Sequence, residues 1–408
     1  TFKSTVSMDR RWVHSSSFLD PIRTSYGRTQ HGTASDTRSD DMRMIYDNIL
    51  TWNKSFDRHS LEVMAGTSAT TSVWEQLSGS RSYFSASNNN AMPNLNGGNN
   101  GGVRGQSYGK SEWSIMSYLA RVSYNYDSKY LVTANFRADG SSKLAPGHRW
   151  GYFPSFSAAW RISEENFMKK QDVVSNLKLR AGWGVVGNDR ITNYLSLELY
   201  SQGKYGYGNN VITVLSPKQL PESIKWEASQ STNIGIDLGL FRNRLNVTTD
   251  FFLKDTKDLL MAANRAYVSG FASQWMNVGK IRNKGVEIAI NSTNIASKSR
   301  FRWTTDFNIS FIRNELRALA GGAKEMMTTA SWNSDYTGYD YTARIGQSLG
   351  LIYGYVFDGV YQTSDFNVNA ATGEYVLKEG VTDITDHAGV AVKPGMVKYK
   401  DTDGDGVI

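Results

Sequence analysis

The sequence predicts an all-β fold, a transmembrane antiparallel β-barrel, on three observations. Apolar and polar residues alternate with period two over segments that often reach about 10 residues or more, as a strand with one apolar and one wet side requires. Very short connections alternate with long polar ones. Aromatic residues are abundant, with 22 Tyr, 11 Trp and 17 Phe, and they gather at segment ends. A tilted barrel strand needs about 9–11 residues to cross the apolar layer, whereas strands of water-soluble sheets are nearer 5–6. Segment length therefore favours the membrane.

The elements follow in chain order. The stretch from Trp113 to Tyr126 alternates. In "YLVTANFRAD", Tyr130, Val132, Ala134, Phe136 and Ala138 share one face, and Leu131, Thr133, Asn135, Arg137 and Asp139 the other. "LKLRAGWGV" sets Leu177, Leu179, Ala181, Trp183 and Val185 against Lys178, Arg180, Gly182 and Gly184. "NIGIDLGL" opposes Ile234, Ile236, Leu238 and Leu240 to Asn233, Gly235, Asp237 and Gly239. "LNVTTDFFLK" opposes Leu245, Val247, Phe251 and Leu253 to Asn246, Thr248, Asp250 and Lys254. "VEIAI" (286–290) continues the pattern. "FRWTTDFNISFIR" puts Phe301, Trp303, Thr305, Phe307, Ile309 and Phe311 opposite Arg302, Thr304, Asp306, Asn308, Ser310 and Ile312. Roughly a dozen segments of this kind run through the chain.

"DSK" (127–129) and "FRNR" (241–244) read as tight turns, and residues 73–111, 187–228, 256–282 and 314–345 as long polar connections. Short turns at one end and long loops at the other are the rhythm of an outer-membrane barrel. "SEENFMKK" (163–170) reads as one or two helical turns, with its acids leading and its lysines last, in keeping with the helix dipole. Tyr124, Tyr126 and Tyr130 flank the "DSK" turn, and Trp150, Tyr152 and Phe153 precede the next strand. Rings placed there suit a membrane–water girdle, although cross-strand aromatic packing would place them similarly.

Composition narrows the function classes. The chain has no cysteine, which removes disulfides, thiol catalysis and cysteine-ligated metals. Its 45 basic and 38 acidic residues give a net charge of +7, mild for this length and without a basic tract, so nucleic acid is not expected as a partner. No apolar run reaches the roughly 18 residues of a membrane helix. "TFKSTVSMDRRWVHSS" has no apolar core of the kind a secretory leader carries, and the chain reads as a processed or partial piece.

Chemistry-bearing motifs are few. "GWGVVG" (Gly182, Gly184, Gly187) matches the dinucleotide spacing, but Lys178 and Arg180 interrupt the apolar run before it and no helical pattern follows, so the glycines read as strand positions in a crowded interior. His14, His31, His59, His148 and His387 are scattered, without zinc-site spacing. There is no G-x-S-x-G elbow, and catalysis is not expected. The terminal "DTDGDGVI" places Asp401, Asp403 and Asp405 at alternate positions, then Gly406 and the Val407 carbonyl. That is the first part of a calcium loop, whose closing acid would lie beyond Ile408. The alternative is a polar turn that satisfies its own backbone through Asp.

Several stretches resemble the SusC/RagA family of TonB-dependent outer-membrane transporters. They are "FRADGSSKLAPGHRWGYFPSFSAAWRISEENFM" (136–168), "LKLRAGWGVVGN" (177–188), "IKWEASQSTNIGIDLGLFRNRLNVTTDFFLKDTKDLLM" (224–261) and "NVGKIRNKGVEIAI" (277–290), followed by "GLIYGYVFDGVYQTSDF" (350–366) and "PGMVKYKDTDGDGVI" (394–408). The resemblance covers about residues 110–408 and implies a barrel of 22 strands around an N-terminal plug. The implied place is the bacterial outer membrane, crossed many times. The implied activity is active import of an oligosaccharide, glycan or peptide, driven by the TonB system through the plug and aided by a SusD-like surface lipoprotein. On this reading residues 1–408 are one section of the barrel with long extracellular loops, and the plug and the C-terminal strands are not in the chain. Arg137, Asp139, Asp237, Asp250 and Asp306 would line the lumen, and the opposite faces would meet lipid. A secreted or surface β-protein that binds or cleaves glycans is the competing expectation.

Overall fold

The computed structural model describes residues 1–84, 95–97, 104–207, 210–219, 223–264, 273–295, 301–328, 339–385, 389–402 and 404. The chain divides into two compact units, Thr1–Ala323 and Lys324–Ile408. None of the described helices is long and apolar enough to cross a membrane.

The first unit is built on one eleven-stranded sheet. Its strands are β1 (Phe2–Leu19), β2 (Thr33–Phe56), β3 (His59–Ser82), β4 (Arg104–Tyr126), β5 (Tyr130–Ser141), β6 (Trp150–Arg161) and β7 (Val174–Asn188). After a separate hairpin of β8 (Leu199–Tyr207) and β9 (Asn210–Gln219) come β10 (Glu227–Leu240), β11 (Leu245–Asn264), β12 (Ser273–Ile295) and β13 (Trp303–Ala318). Each strand pairs antiparallel with the next, and β7 pairs with β10 across the β8–β9 excursion. An all-next-neighbour meander of this kind has its turns alternately at the two ends of the sheet.

At one end the turns are tight. Asp57 closes β2–β3, Asp127 and Ser128 close β4–β5, and Phe241, Arg242 and Asn243 close β10–β11, all with positive φ. Left-handed residues match the twist of the flanking strands. Asp and Asn accept that region readily, whereas Phe241 does so against its side chain. The opposite end carries the two longest connections, between β3 and β4 and between β7 and β10.

Two expectations are corrected. The long connections are shorter than the hydropathy pattern suggests, because β3 continues to Ser82, β4 starts at Arg104, β11 reaches Asn264 and β12 starts at Ser273. In these extensions apolar residues no longer keep a strict period of two, as with Trp74 and Leu77 on β3, while the backbone ladder continues. The expected helical turns at 163–170 reduce to a single 3-10 turn over Ile162–Glu164 followed by turns. Glu165 is instead drawn to Tyr130, whose hydroxyl donates to it at 2.6 Å, and to Trp160, whose indole N–H donates at 3.1 Å.

The glycines of "GWGVVG" lie on β7 with antiparallel neighbours, as the strand reading expects. Gly182 and Gly184 fall on its polar face, and Gly187 on the opposite parity, where the Phe153 ring occupies the space of a Cβ.

Little of the sheet is buried against anything else. A cluster of Leu144, Leu195 and Ile224, with Ile191, Trp226 and Leu260 packed around it, ties the 142–149 and 189–226 connections together at the long-loop end. The second unit, by contrast, has its own small core of Tyr361, Phe366, Ile384 and Val392. There β14 (Glu325–Thr328), β15 (Tyr341–Arg344) and β16 (Leu351–Ile352) form one sheet. Then β17 (Phe357–Val360), β18 (Phe366–Val368), β19 (Tyr375–Leu377) and β20 (Val397–Tyr399) pair as β17–β20 and β18–β19.

Candidate functional site: a two-faced wall

The pairing registers carry each strand's apolar positions onto its neighbour's. Phe2 faces Leu50, Met8 faces Met44, Ala120 faces Phe136, and Ala134 faces Phe156. Phe156 faces Trp183, Ile234 faces Phe251, Phe251 faces Val286, and Val286 faces Phe311. One face of the sheet is therefore apolar across all eleven strands. Its large side chains are exposed, Phe2 at 67% and Phe311 at 60%. A contiguous apolar surface of this extent demands a non-aqueous neighbour.

The apolar face has edges. At the tight-turn end five rings run across five strands: Phe56, His59, Tyr126, Tyr130 and Trp160, with successive centroids 4.9, 4.9, 6.2 and 6.3 Å apart. Their outer neighbours are charged. Lys129 Nζ lies 2.9 Å from Asp127 and 3.8 Å from Glu165. Hydrogen bonds from Tyr130 and Trp160 hold the Glu165 carboxyl below its ordinary range, with the Lys129 charge adding to them. The Lys129 bond and charge do the same for Asp127.

At the other end the same parity turns from apolar to charged within one strand position. Arg10 pairs with Asp40 at 2.6 Å and stacks over Trp12 at 4.5 Å, Lys110 meets Glu112 at 2.6 Å, and Arg282 forks onto Asp255 at 2.6 and 2.7 Å. On β6 the apolar-face span runs from Trp150 to Trp160. Ten residues at about 3.3 Å each, tilted by about 40°, give a height of about 25 Å, the apolar band of an outer-membrane barrel.

The opposite face is polar, and several of its charges are paired among themselves. Arg180 donates to both oxygens of Asp237 at 2.9 Å and reaches Asp250 at 3.1 Å. Gly235 lies between Arg180 and Asp250 in the register. A Cβ there would collide with both, so glycine opens the path for this triad. Arg137 donates to Asp139 at 2.7 Å and to Ser117 at 3.0 Å. Arg121 donates to Asn135 at 2.8 Å, and Asn135 to Ser155 at 3.1 Å. Asp306 accepts from Asn291. Arg137, Asp139, Asp237, Asp250 and Asp306, expected on the inner face, all lie on it. The Arg180 partnership joins residues 57 and 70 positions apart, which alternation alone cannot match up.

Of the expected calcium ligands, Asp403, Asp405 and Val407 lie outside the described residues. Asp401 is half-buried and its Oδ1 accepts the Gly404 N–H at 2.7 Å, with Gly404 at φ 80°. That is the Asp-based turn that a self-satisfying polar loop forms. Among the described residues, no group of three His, Cys, Asp or Glu is placed to hold a metal.

The family model described as TonB dependent receptor-like, beta-barrel, matches residues 3–391. Two TonB-dependent receptors of Formosa agariphila are 33% identical over 366 residues and 35% identical over 332 residues, covering 89% and 80% of this chain. The TonB-dependent receptor SusC of Bacteroides thetaiotaomicron is 36% identical over 215 residues, 51% of the chain. The chain spans 34%, 30% and 21% of the lengths of these relatives. Among solved structures, the RagAB peptide importer superposes with a TM-score of 0.78 at 21% identity, over 98% of this chain and 42% of that one. This likeness speaks to fold alone.

Proposed function

The chain belongs to the TonB-dependent receptor-like β-barrel family, a non-enzymatic family of the outer membrane, and from that premise we propose that it forms part of the wall of a nutrient importer. The observation that carries the proposal is the sheet with two faces. One face is a lipid-ready band bounded by rings and charges, and the other is a polar wall that carries cross-strand ion pairs. An open sheet cannot cross a bilayer, since its edge backbone groups would go unpaired in hydrocarbon. This wall therefore works within a closed barrel. Its polar face lines the lumen, where ion pairs such as Arg180–Asp237–Asp250 keep the surface wet.

The cargo is an oligosaccharide, glycan or peptide. The partners are a plug in the lumen, a TonB system that pulls on it, and a SusD-like lipoprotein over the long-loop end. The relatives named SusC and RagAB support this assignment. We also propose that Asp401, Asp403, Asp405 and the Val407 carbonyl hold calcium, because an all-oxygen donor set suits that hard cation.

The test is made on the whole receptor. It partitions with the outer membrane, extracts only with detergent, and supports uptake that stops when the proton gradient is collapsed. A receptor that stays monodisperse without detergent, as a secreted glycan-binding protein would, overturns the reading.

A further inference from the structure

Near the long-loop end of the polar face, one register row runs Asp9, Arg43, Ser72, Trp113 across β1 to β4. Ser72 is small and buried, at 5% exposure, so Arg43 reaches past it to within 5.7 Å of the Trp113 ring centroid. From the other side the β5–β6 connection brings Lys143 over the same ring at 4.9 Å. That connection is fixed in place. Ser142 N–H donates to the Ser114 carbonyl at 2.9 Å, and Ser114 N–H to the Ser142 hydroxyl at 2.9 Å. Leu144, next in the chain, is fully buried in the loop cluster.

A cavity of about 450 Å³ opens here, lined by Ser72, Glu112, Trp113, Lys143, Arg149, Tyr194 and Ser196 among others. Tyr194 forms part of its rim from the 189–226 connection. It sits at φ 67°, strained for a bulky residue, and its hydroxyl accepts the Glu112 N–H at 2.8 Å. Asn193 anchors the same loop by donating to Ser111 at 2.6 Å.

The cations at this cavity lack the carboxylate partners that Arg180 and Arg137 have. Among the described residues no carboxylate lies within ion-pair distance of Arg43, Lys143 or Arg149. The nearby acids are engaged or offset: Glu112 meets Lys110 at 2.6 Å, Asp189 accepts the Ser141 hydroxyl at 2.8 Å, and Asp9 faces Arg43 only by register. Elsewhere on the wall each named arginine has its carboxylate or amide.

We propose that this cavity is a binding site for the oxyanion of a hydroxyl-bearing ligand, a carboxylate or sulfate held by Lys143 and Arg149 beside the Trp113 ring. Uncompensated cations attract an anion and strengthen as water is displaced. The hydroxyls of Ser72, Ser142 and Ser196 supply the further polar contacts that fix orientation in such pockets. The inference rests on the importer reading for its meaning, as a cargo-selecting site for acidic substrates, but the binding itself does not.

The experiment uses the full receptor in detergent and isothermal titration with tri-galacturonate, its neutral galactose trimer and a tri-aspartate peptide. The expected result is that at least one acidic probe binds while the neutral trimer binds at least about tenfold more weakly, a discrimination lost at high salt. Which acidic probe binds tells a saccharide from a peptide source. Lys143→Gln combined with Arg149→Gln lowers acidic-probe affinity at least about tenfold, and Lys143→Arg restores most of it. Equal binding of neutral and acidic trimers overturns the proposal. So does unchanged affinity in the double variant, provided its heat-modified mobility on a gel shows a folded barrel. Energy-dependent uptake without any acidic-probe binding defeats the pocket and spares the importer. Acidic-probe binding without uptake upholds the pocket and defeats the importer.

Discussion

The sheet of residues 1–323 and the small unit of residues 324–408 hide their apolar side chains by different means. In the small unit a few of them hide in one another: Tyr361 is 1% exposed, packs against Phe366 at 5.9 Å, and donates its hydroxyl to the Thr382 carbonyl at 2.5 Å. In the sheet the rings of Phe2, Trp12, Phe307 and Phe311 all stand outward, half or more exposed. The same residue types do opposite work because one unit carries its apolar solvent inside and the other expects it outside. Stability in the first depends on packing, and in the second on backbone pairing and on lipid.

The sharpest way to separate the two is to damage each where it is strongest. Tyr361→Ala leaves a void and an unpaired carbonyl, and is expected to cost the small unit about 3–5 kcal/mol, read as accelerated proteolysis within 324–408 while the barrel stays resistant. The barrel has the reverse weakness. Ile234→Arg puts a charge in the middle of the apolar face, at an expected cost of about 2–4 kcal/mol in unfolding from lipid vesicles. Asn233→Arg, one residue away on the polar face, is expected to change little. If the two positions respond alike, the assignment of faces is wrong.

Arg180→Ala probes the polar wall. It leaves Asp237 and Asp250 facing each other without their cation, and the partly exposed site limits the expected loss to about 1–2 kcal/mol by the same measurement. Asp237→Asn with Arg180→Gln should recover part of it. A smaller effect lies at the ring edge. Because the folded carboxyl of Glu165 is held below its ordinary range by Tyr130 and Trp160, its contribution is present above the unfolded carboxylate value. It is lost as pH falls through the lower, folded one. Trp160 emission is expected to shift on acidification below about pH 4.3, and Glu165→Gln to remove that shift. The smallest concerns the calcium proposal. Asn at Asp401, Asp403 and Asp405 is expected to lower the melting temperature by a few degrees in calcium, about what 1 kcal/mol gives, and an unchanged melt with and without chelator would sink it.

Much of the wall was legible in the sequence. The alternation in "YLVTANFRAD" assigns Arg137 and Asp139 to one face and Phe136 to the other, and the structure keeps that assignment because a strand's side-chain period is fixed. Strand limits were less legible. Beyond Val73 on β3 and before Glu112 on β4 the pairing continues without a strict apolar alternation, and a ladder made of backbone hydrogen bonds leaves no trace in hydropathy. The five-ring row was half visible, since Tyr124, Tyr126 and Tyr130 announce an edge, but Phe56 and His59 join it only through register. The cavity at Trp113 was missed altogether. Arg43, Trp113 and Lys143 are polar-face or loop residues of ordinary kinds, with no shared spacing to connect them.

The sequence by itself determined which side of each strand is apolar, where the tight turns fall, and the family to which the chain belongs, because these follow from nearest neighbours along the chain. The tertiary structure decided which charges meet, where the apolar band ends, and which cations are left without an acid. Those depend on register between strands dozens of residues apart, and a shift of one residue there would exchange the two faces of the wall.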